Sequence, residues 1–211
     1  GANTYTGGTT INAGTITLGA SHRLANTGTV TISGGTLDIG SYDDTVGDVN
    51  ILSGSITGTS GTLTASSYAI DTTSGTASIT ANLVSTGPFV KTGNGTLTIS
   101  TPFASDIRIT GGTIALGANN ILADSIALEI SGGTFALGSY SDTVGNVTLS
   151  EGSITGTTGV LIGSSYSVTN ATGNTTISAI LGGSGSLTKT GAGTLTLSGT
   201  NTYSGVTTIS A

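Results

Sequence analysis

A glycine followed by a small residue returns about every twenty positions along the whole chain. The glycines are Gly14, Gly35, Gly54, Gly75, Gly95, Gly112, Gly133, Gly152, Gly173 and Gly193, with steps of 21, 19, 21, 20, 17, 21, 19, 21 and 20 residues. After most of them, apolar and small polar residues alternate, as in Gly14-Thr15-Ile16-Thr17-Leu18 and Gly95-Thr96-Leu97-Thr98-Ile99. Two-residue alternation inside a period near twenty is the sequence pattern of a β-solenoid. One such unit cannot bury its apolar face alone, so the chain must stack its units into one continuous core.

A longer repeat lies over the short one. Gly34-Gly35-Thr36 returns as Gly132-Gly133-Thr134, Gly54 to Thr59 returns intact as Gly152 to Thr157, and Lys91-Thr92-Gly93 returns as Lys189-Thr190-Gly191. Each pair is 98 residues apart, five short periods, and roughly half of the aligned positions are identical. Gly1 to Gly7 returns as Gly199 to Gly205 with an offset of 198, so the middle copy lacks two residues near Thr101-Pro102-Phe103. The units are therefore 14–111 and 112–211, with a partial repeat at 1–13, in one continuous fragment spanning 1–211. Beginning and ending at equivalent points of the array, the chain reads as a piece of something longer.

Composition narrows the function classes. Charged residues are 7% of the 211, against about 25% in an ordinary soluble domain. Low charge with abundant Thr, Val, Ile and Leu opposes disorder and suits pleated, half-buried strands. The net charge is −6, and Arg23, Lys91, Arg108 and Lys189 are the only basic residues. Four such residues cannot track a phosphate backbone or an anionic membrane, so no nucleic-acid partner and no membrane insertion are expected. With no cysteine, neither disulfides nor thiolate metal sites are available.

The expected fold is all-β: a right-handed parallel β-helix of about ten coils of roughly 20 residues, the hand following from the rule for parallel crossovers. Residues two apart on a strand face the same way. The pairs Ile16/Leu18, Leu37/Ile39, Leu97/Ile99, Ile114/Leu116, Phe135/Leu137 and Leu195/Leu197 are thus expected to point inward after the ladder glycine. Val30/Ile32, Val49/Ile51, Ile107/Ile109, Leu128/Ile130 and Val147/Leu149 are expected to do so before the next one. All ten ladder glycines should stack at one corner, the 17-residue step should mark a coil with a different turn length, and Ile121 to Ile130 is the only stretch that could form a helical turn.

The closing segment Gly185 to Ile209, containing Leu187-Thr188-Lys189-Thr190-Gly191-Ala192-Gly193-Thr194-Leu195-Thr196-Leu197 and Asn201-Thr202-Tyr203-Ser204-Gly205, closely resembles the autotransporter-associated β-strand repeat, or passenger-associated transport repeat. A degraded copy spans Gly87 to Thr110, where Pro102-Phe103 stands in place of the Asn-Thr-Tyr element, and Gly1 to Ala13 is the second half of another. The resemblance implies a passenger region of a type V secretion protein, located at the cell surface or outside a Gram-negative bacterium. Its implied partner is an outer-membrane β-barrel translocator during export. The family carries no catalytic residues that map onto this chain.

Several side chains invite a chemical reading. Carbohydrate-active β-helix enzymes need convergent carboxylates, and Asp38, Asp43, Asp44 and Asp48 form the densest run. Their counterparts are Ala136, Ser141, Asp142 and Asn146, so only Asp44 and Asp142 repeat, which fits turn capping better than catalysis. Asp43, Asp44 and Asp48 could hold calcium, but no Gly-Gly-x-Gly-x-Asp nonapeptide accompanies them. His22 is the only histidine, and its counterpart Asn120 points to a polar turn. Lys91 and Lys189 recur among Gly, Thr and Ser, and their stems are expected to pack over the coil. Tyr5/Tyr203, Tyr42/Tyr140 and Tyr68/Tyr166 suit turn covers or stacks across coils better than an exposed glycan platform, and the Thr-x-Thr elements spread over too many faces for an ice-binding plane. The chain is therefore read as a structural stalk segment that assists secretion, with no catalytic, cofactor or metal residues. The alternatives are an adhesin-type module contacting glycans or other cells and, last, a carbohydrate-active enzyme; end-to-end self-association is a further expected contact of the rod.

Overall fold

A computed structural model of the chain describes residues 3–210. Its regular elements are all strands, and every strand pairing is parallel. The strands stack as a β-solenoid of about ten turns of about 20 residues. One continuous cluster of buried apolar side chains runs from Ile11 to Leu187. The stretch Ile121 to Ile130 forms no helix but turns once, at Asp124–Ser125, where Ile126 N–H donates to the Ala123 carbonyl at 3.0 Å; Ile121, Leu122, Ile126, Leu128 and Ile130 are all buried.

Each coil has three faces. The first follows the ladder glycine, where Thr15–Thr17, Thr76–Ile79, Thr96–Ile99 and Thr113–Leu116 lie. The second contains Ser67–Asp71, Phe89–Thr92 and Ile107–Ile109. The eleven-residue strands Val30–Gly40 and Leu128–Gly138 bend from the second face onto the first at their paired glycines, where the register shifts. On both faces the alternation places the expected residues inside: Val30, Ile32, Leu37, Ile39, Val49 and Ile51 are buried, as are their counterparts one long repeat later.

The third face was nearly invisible in the pattern. Leu63 lies beside Leu83, Phe103 bridges Leu83 and Leu122, and Leu161 lies beside Leu181, all buried. These residues form a third inward column with few alternating neighbours to announce it.

The glycine ladder aligns at every step except two. Thr96 pairs with Thr76 and Thr113, and Thr134 pairs with Thr113 and Ser153, so the glycines before them are stacked. From Gly54 to Gly75 and from Gly152 to Gly173 the next coil slips by two residues: Gly54 lies beside Ala77, and Ser153 beside Thr176. The expectation of an unbroken ladder is corrected there. The 21-residue spacing matches the other steps, but the paired residues are 23 apart, a difference that glycine spacing alone cannot reveal.

Coil length decides one further feature. Between the first-face and second-face strands, Thr80–Pro88 uses nine residues, Ser100–Asp106 seven and Gly117–Ala127 eleven. All three segments span the same registers, because Ile79, Ile99 and Leu116 are neighbours, and so are Phe89, Ile107 and Leu128. A seven-residue segment cannot bulge as far as its longer neighbours, so the surface is notched there.

Candidate functional site

The notch at the short coil is two adjoining depressions of about 560 and 490 Å³ that share Ala104. Val84, Pro88, Pro102 and Ala104 line them and are exposed. Beneath, Phe103 replaces a leucine of the third column and packs edge-on against Phe89 at 4.6 Å, which in turn lies 5.8 Å from Tyr68. These large rings fill the space that the missing residues leave, so the notch is shallow instead of a void.

Three charges gather on its second-face side. Arg108 Nε lies 3.4 Å from Glu129 Oε1, with the two side chains 55% and 47% exposed, and the two residues are direct neighbours across strands. Asp106 Oδ1 accepts the N–H of Ala127 at 2.7 Å. At the equivalent positions 98 residues earlier, the Arg108–Glu129 pair is the threonine pair Thr10–Thr31. In a chain with 7% charged residues this is a marked local change. Neither glutamate nor arginine was singled out from the sequence. The available signal was the 17-residue step, which announced an altered turn but not what surrounds it.

The repeated aspartates behave differently from expectation. Asp44 and Asp142 are each only 1% exposed, because they occupy the third inward column, beside Leu63 and Leu161. Arg23 and Leu24 donate their N–H groups to Asp44 Oδ2 at 2.8 and 3.0 Å, and Thr45 donates to Oδ1 at 2.8 Å. Ile121 and Leu122 donate to Asp142 Oδ2 at 2.9 and 3.2 Å, and Thr143 donates to Oδ1 at 2.9 Å. Each carboxylate caps backbone donors of the coil before it, so the turn-capping role stands but is carried out from inside the rod. Burial raises the Asp142 carboxyl above the usual range, the three N–H donors oppose that, and nearby Asp124 adds to it. The other acids of the run do not join Asp44: Asp43 accepts from Thr62 N–H, Asp48 from the Ser67 hydroxyl, and Asp38 from Gly40 N–H. Among the described residues, no three His, Asp or Glu side chains are grouped to hold a metal ion.

The lysines are a second correction. Lys91 is 0% and Lys189 7% exposed. Both occupy inward positions of the second face, Lys91 between Ile70 and Ile109. Lys91 Nζ donates to the carbonyls of Thr92 and Gly93, the latter at 3.1 Å. Lys189 Nζ repeats this on Thr190 and Gly191 at 2.7 Å each. The stems lie in the core and the ammonium groups bind the glycine corner from within. Burial lowers the Lys91 ammonium below the usual lysine range, and Asp71 partly counters it.

His22 and Asn120 are the only non-glycine residues at positive φ among those described, +57° and +50°. Their equivalence as polar turn residues thus has a backbone cause. Tyr68 and Tyr166 are buried, donating to the carbonyls of Leu63 and Leu161 at 2.7 and 2.8 Å. Burial raises both phenols. Tyr166 also lies 6.0 Å from Tyr203, a contact between tilted rings across coils. Tyr5 and Tyr42 are the exposed members of the set, at 39% and 36%. No helix in the described residues is long and apolar enough to cross a membrane.

Comparison with protein families gives three matches to the model described as Passenger-associated-transport-repeat, at residues 1–18, 89–116 and 187–211, together about a third of the chain. The middle match contains the short coil. Comparison with curated proteins and with solved structures gives no match.

Proposed function

We propose that this chain is a stalk segment of an autotransporter passenger, whose coils assist secretion by folding one upon another outside the cell. The three passenger-associated segments carry the reading, and they imply a secreted or surface-exposed location. The solenoid supplies a physical route. A coil contacts mainly its neighbours, so folding can propagate along the chain as it emerges. The exposed end of a growing solenoid is met here by the next coil, which covers the apolar end of the last. A β-barrel translocator is the partner such export requires.

The test is surface display. The chain is placed between a signal peptide and a β-barrel translocator, with an amino-terminal epitope, and compared with a Leu187→Asp variant. Leu187 is 1% exposed, and a carboxylate there is expected to stop coil growth and lower surface epitope by about tenfold or more. Equal display of the variant, with folding lost, would remove the proposed link between folding and export.

A further inference from the structure

We propose that the notch at Ser100–Asp106 is a binding site for an uncharged saccharide segment. The site is where the molecule departs from its own repeat. The equivalent segment Ser198–Val206 has nine residues, and its Asn201 Oδ1 accepts the Leu181 N–H at 2.8 Å, closing the third face. The short coil has Pro102-Phe103 there instead, and the same region brings in Asp106, Arg108 and Glu129. A departure from a repeat that opens space and concentrates charge in a charge-poor chain is where a solenoid acquires a ligand site.

The chemistry of the lining selects the ligand. The exposed side chains of Val84, Pro88, Pro102 and Ala104 offer C–H surface, and planar polar groups stand beside it. The ion pair uses Arg108 Nε and one oxygen of Glu129, leaving the two Nη groups and the second oxygen for hydroxyls. Ring hydroxyls beside an apolar ring face match that division. Depressions of about 560 and 490 Å³ fall within the range of about 300–1,000 Å³ for small-ligand clefts. The floor is held by the Phe89–Phe103 packing, so little ordering is required on binding.

Other ligand classes fit less well. An extended peptide would add to a strand edge, but Phe89–Thr92 and Ile107–Ile109 are paired on both sides. An anion would compete with Glu129 for Arg108, and a net charge of −6 repels nucleic acid. This inference does not depend on the export role, and the experiment below uses the purified chain.

The ¹⁵N-labelled chain is titrated separately with maltohexaose, cellohexaose, mannohexaose and chitohexaose, followed by a sulfated hexasaccharide and an acidic and a basic peptide. At least one uncharged hexasaccharide is expected to shift the amides of Ser85, Ala104 to Arg108 and Glu129 saturably, with a Kd of about 1 mM. The double variant Arg108→Thr/Glu129→Thr recreates the threonine pair found at Thr10–Thr31, so it should fold as the parent does, and its affinity should fall about tenfold. Asp38→Asn, on the first face and outside both depressions, should bind normally. The proposal is overturned if no uncharged probe shifts these amides at about 20 mM, if the shifts persist in the double variant, or if a charged probe or a peptide binds the notch more tightly.

Discussion

Leu97 and Leu195 stand in almost the same sequence, Lys-Thr-Gly-x-Gly-Thr-Leu-Thr, yet Leu97 is fully buried and Leu195 only partly so. Two residues on, Ile99 is 0% exposed and its counterpart Leu197 is 38%. The strands agree in length and direction: Thr96–Ile99 and Thr194–Leu197. Thr96–Ile99 has Thr76–Ile79 on one side and Thr113–Leu116 on the other, whereas Thr194–Leu197 pairs only with Asn174–Ile177. In a solenoid, sequence sets which way a side chain points, and the neighbouring coil sets how deeply it is buried. The expectation that Leu195 and Leu197 point inward thus holds in direction, and their depth of burial depends on a coil stacked beyond Thr194–Leu197, which the described residues do not contain.

The largest effect should come from charging the two leucines. Leu97→Asp places a carboxylate between two coils and is expected to cost more than about 4 kcal/mol, enough to unfold the middle of the rod. In this 211-residue chain Leu195→Asp has no described strand on its far side and should cost about 1–2 kcal/mol, confined to its own coil. Urea denaturation with hydrogen exchange resolves the two. Equal losses would mean that burial by the neighbouring coil is not the deciding term.

A smaller difference is expected within the glycine ladder. Gly152 has φ +90°, and a Cβ there would run into the backbone of Gly133, the stacked glycine of the coil before. Gly173 has φ +72° but open space around the added Cβ, because the ladder slips between these two positions. Gly173→Ala should therefore cost about 1 kcal/mol from backbone strain alone, and Gly152→Ala about 2–4 kcal/mol because coil stacking must also shift. Thermal melts of the two variants provide the comparison, and similar melting losses would show that stacking at Gly152 is easily relieved.

The smallest effect is a pH dependence. Lys91 has a folded pKa below its unfolded value, so the unfolded chain holds more protons between the two. Stability should rise with pH across that window, up to the ordinary lysine value of about 10.4. Tyr68 and Tyr166 act in the opposite sense: their folded values are raised, so the stability they contribute is present below about 10 and lost above it. Denaturation midpoints should therefore pass through a maximum on the alkaline side. Lys91→Met should flatten the rising limb and leave the falling one. A rising limb unchanged in that variant would assign it to some other group.

Much of the fold was legible because it is local. A strand places every second side chain on one face whatever surrounds it, so Val30, Ile32, Leu37 and Ile39 could be assigned to the interior from spacing alone. The equivalence of His22 and Asn120 was also readable, since both stand at the same turn and share positive φ. The candidate site was scarcely legible. The step from Gly95 to Gly112 announced a short coil, but a notch exists only because Thr80–Pro88 and Gly117–Ala127 are longer and lie on either side of it.

The chain's own sequence thus determined the period, the parallel stacking and the inward alternation of the first two faces, because these follow from backbone geometry repeated every coil. Tertiary structure alone decided that Asp142 lies inside, that the Lys91 ammonium is held by the Thr92 and Gly93 carbonyls, that the ladder slips beside Gly54 and Gly152, and that Arg108 meets Glu129 at the rim of a notch. Each of those depends on which residues the adjacent coils bring alongside, and no single repeat contains that information.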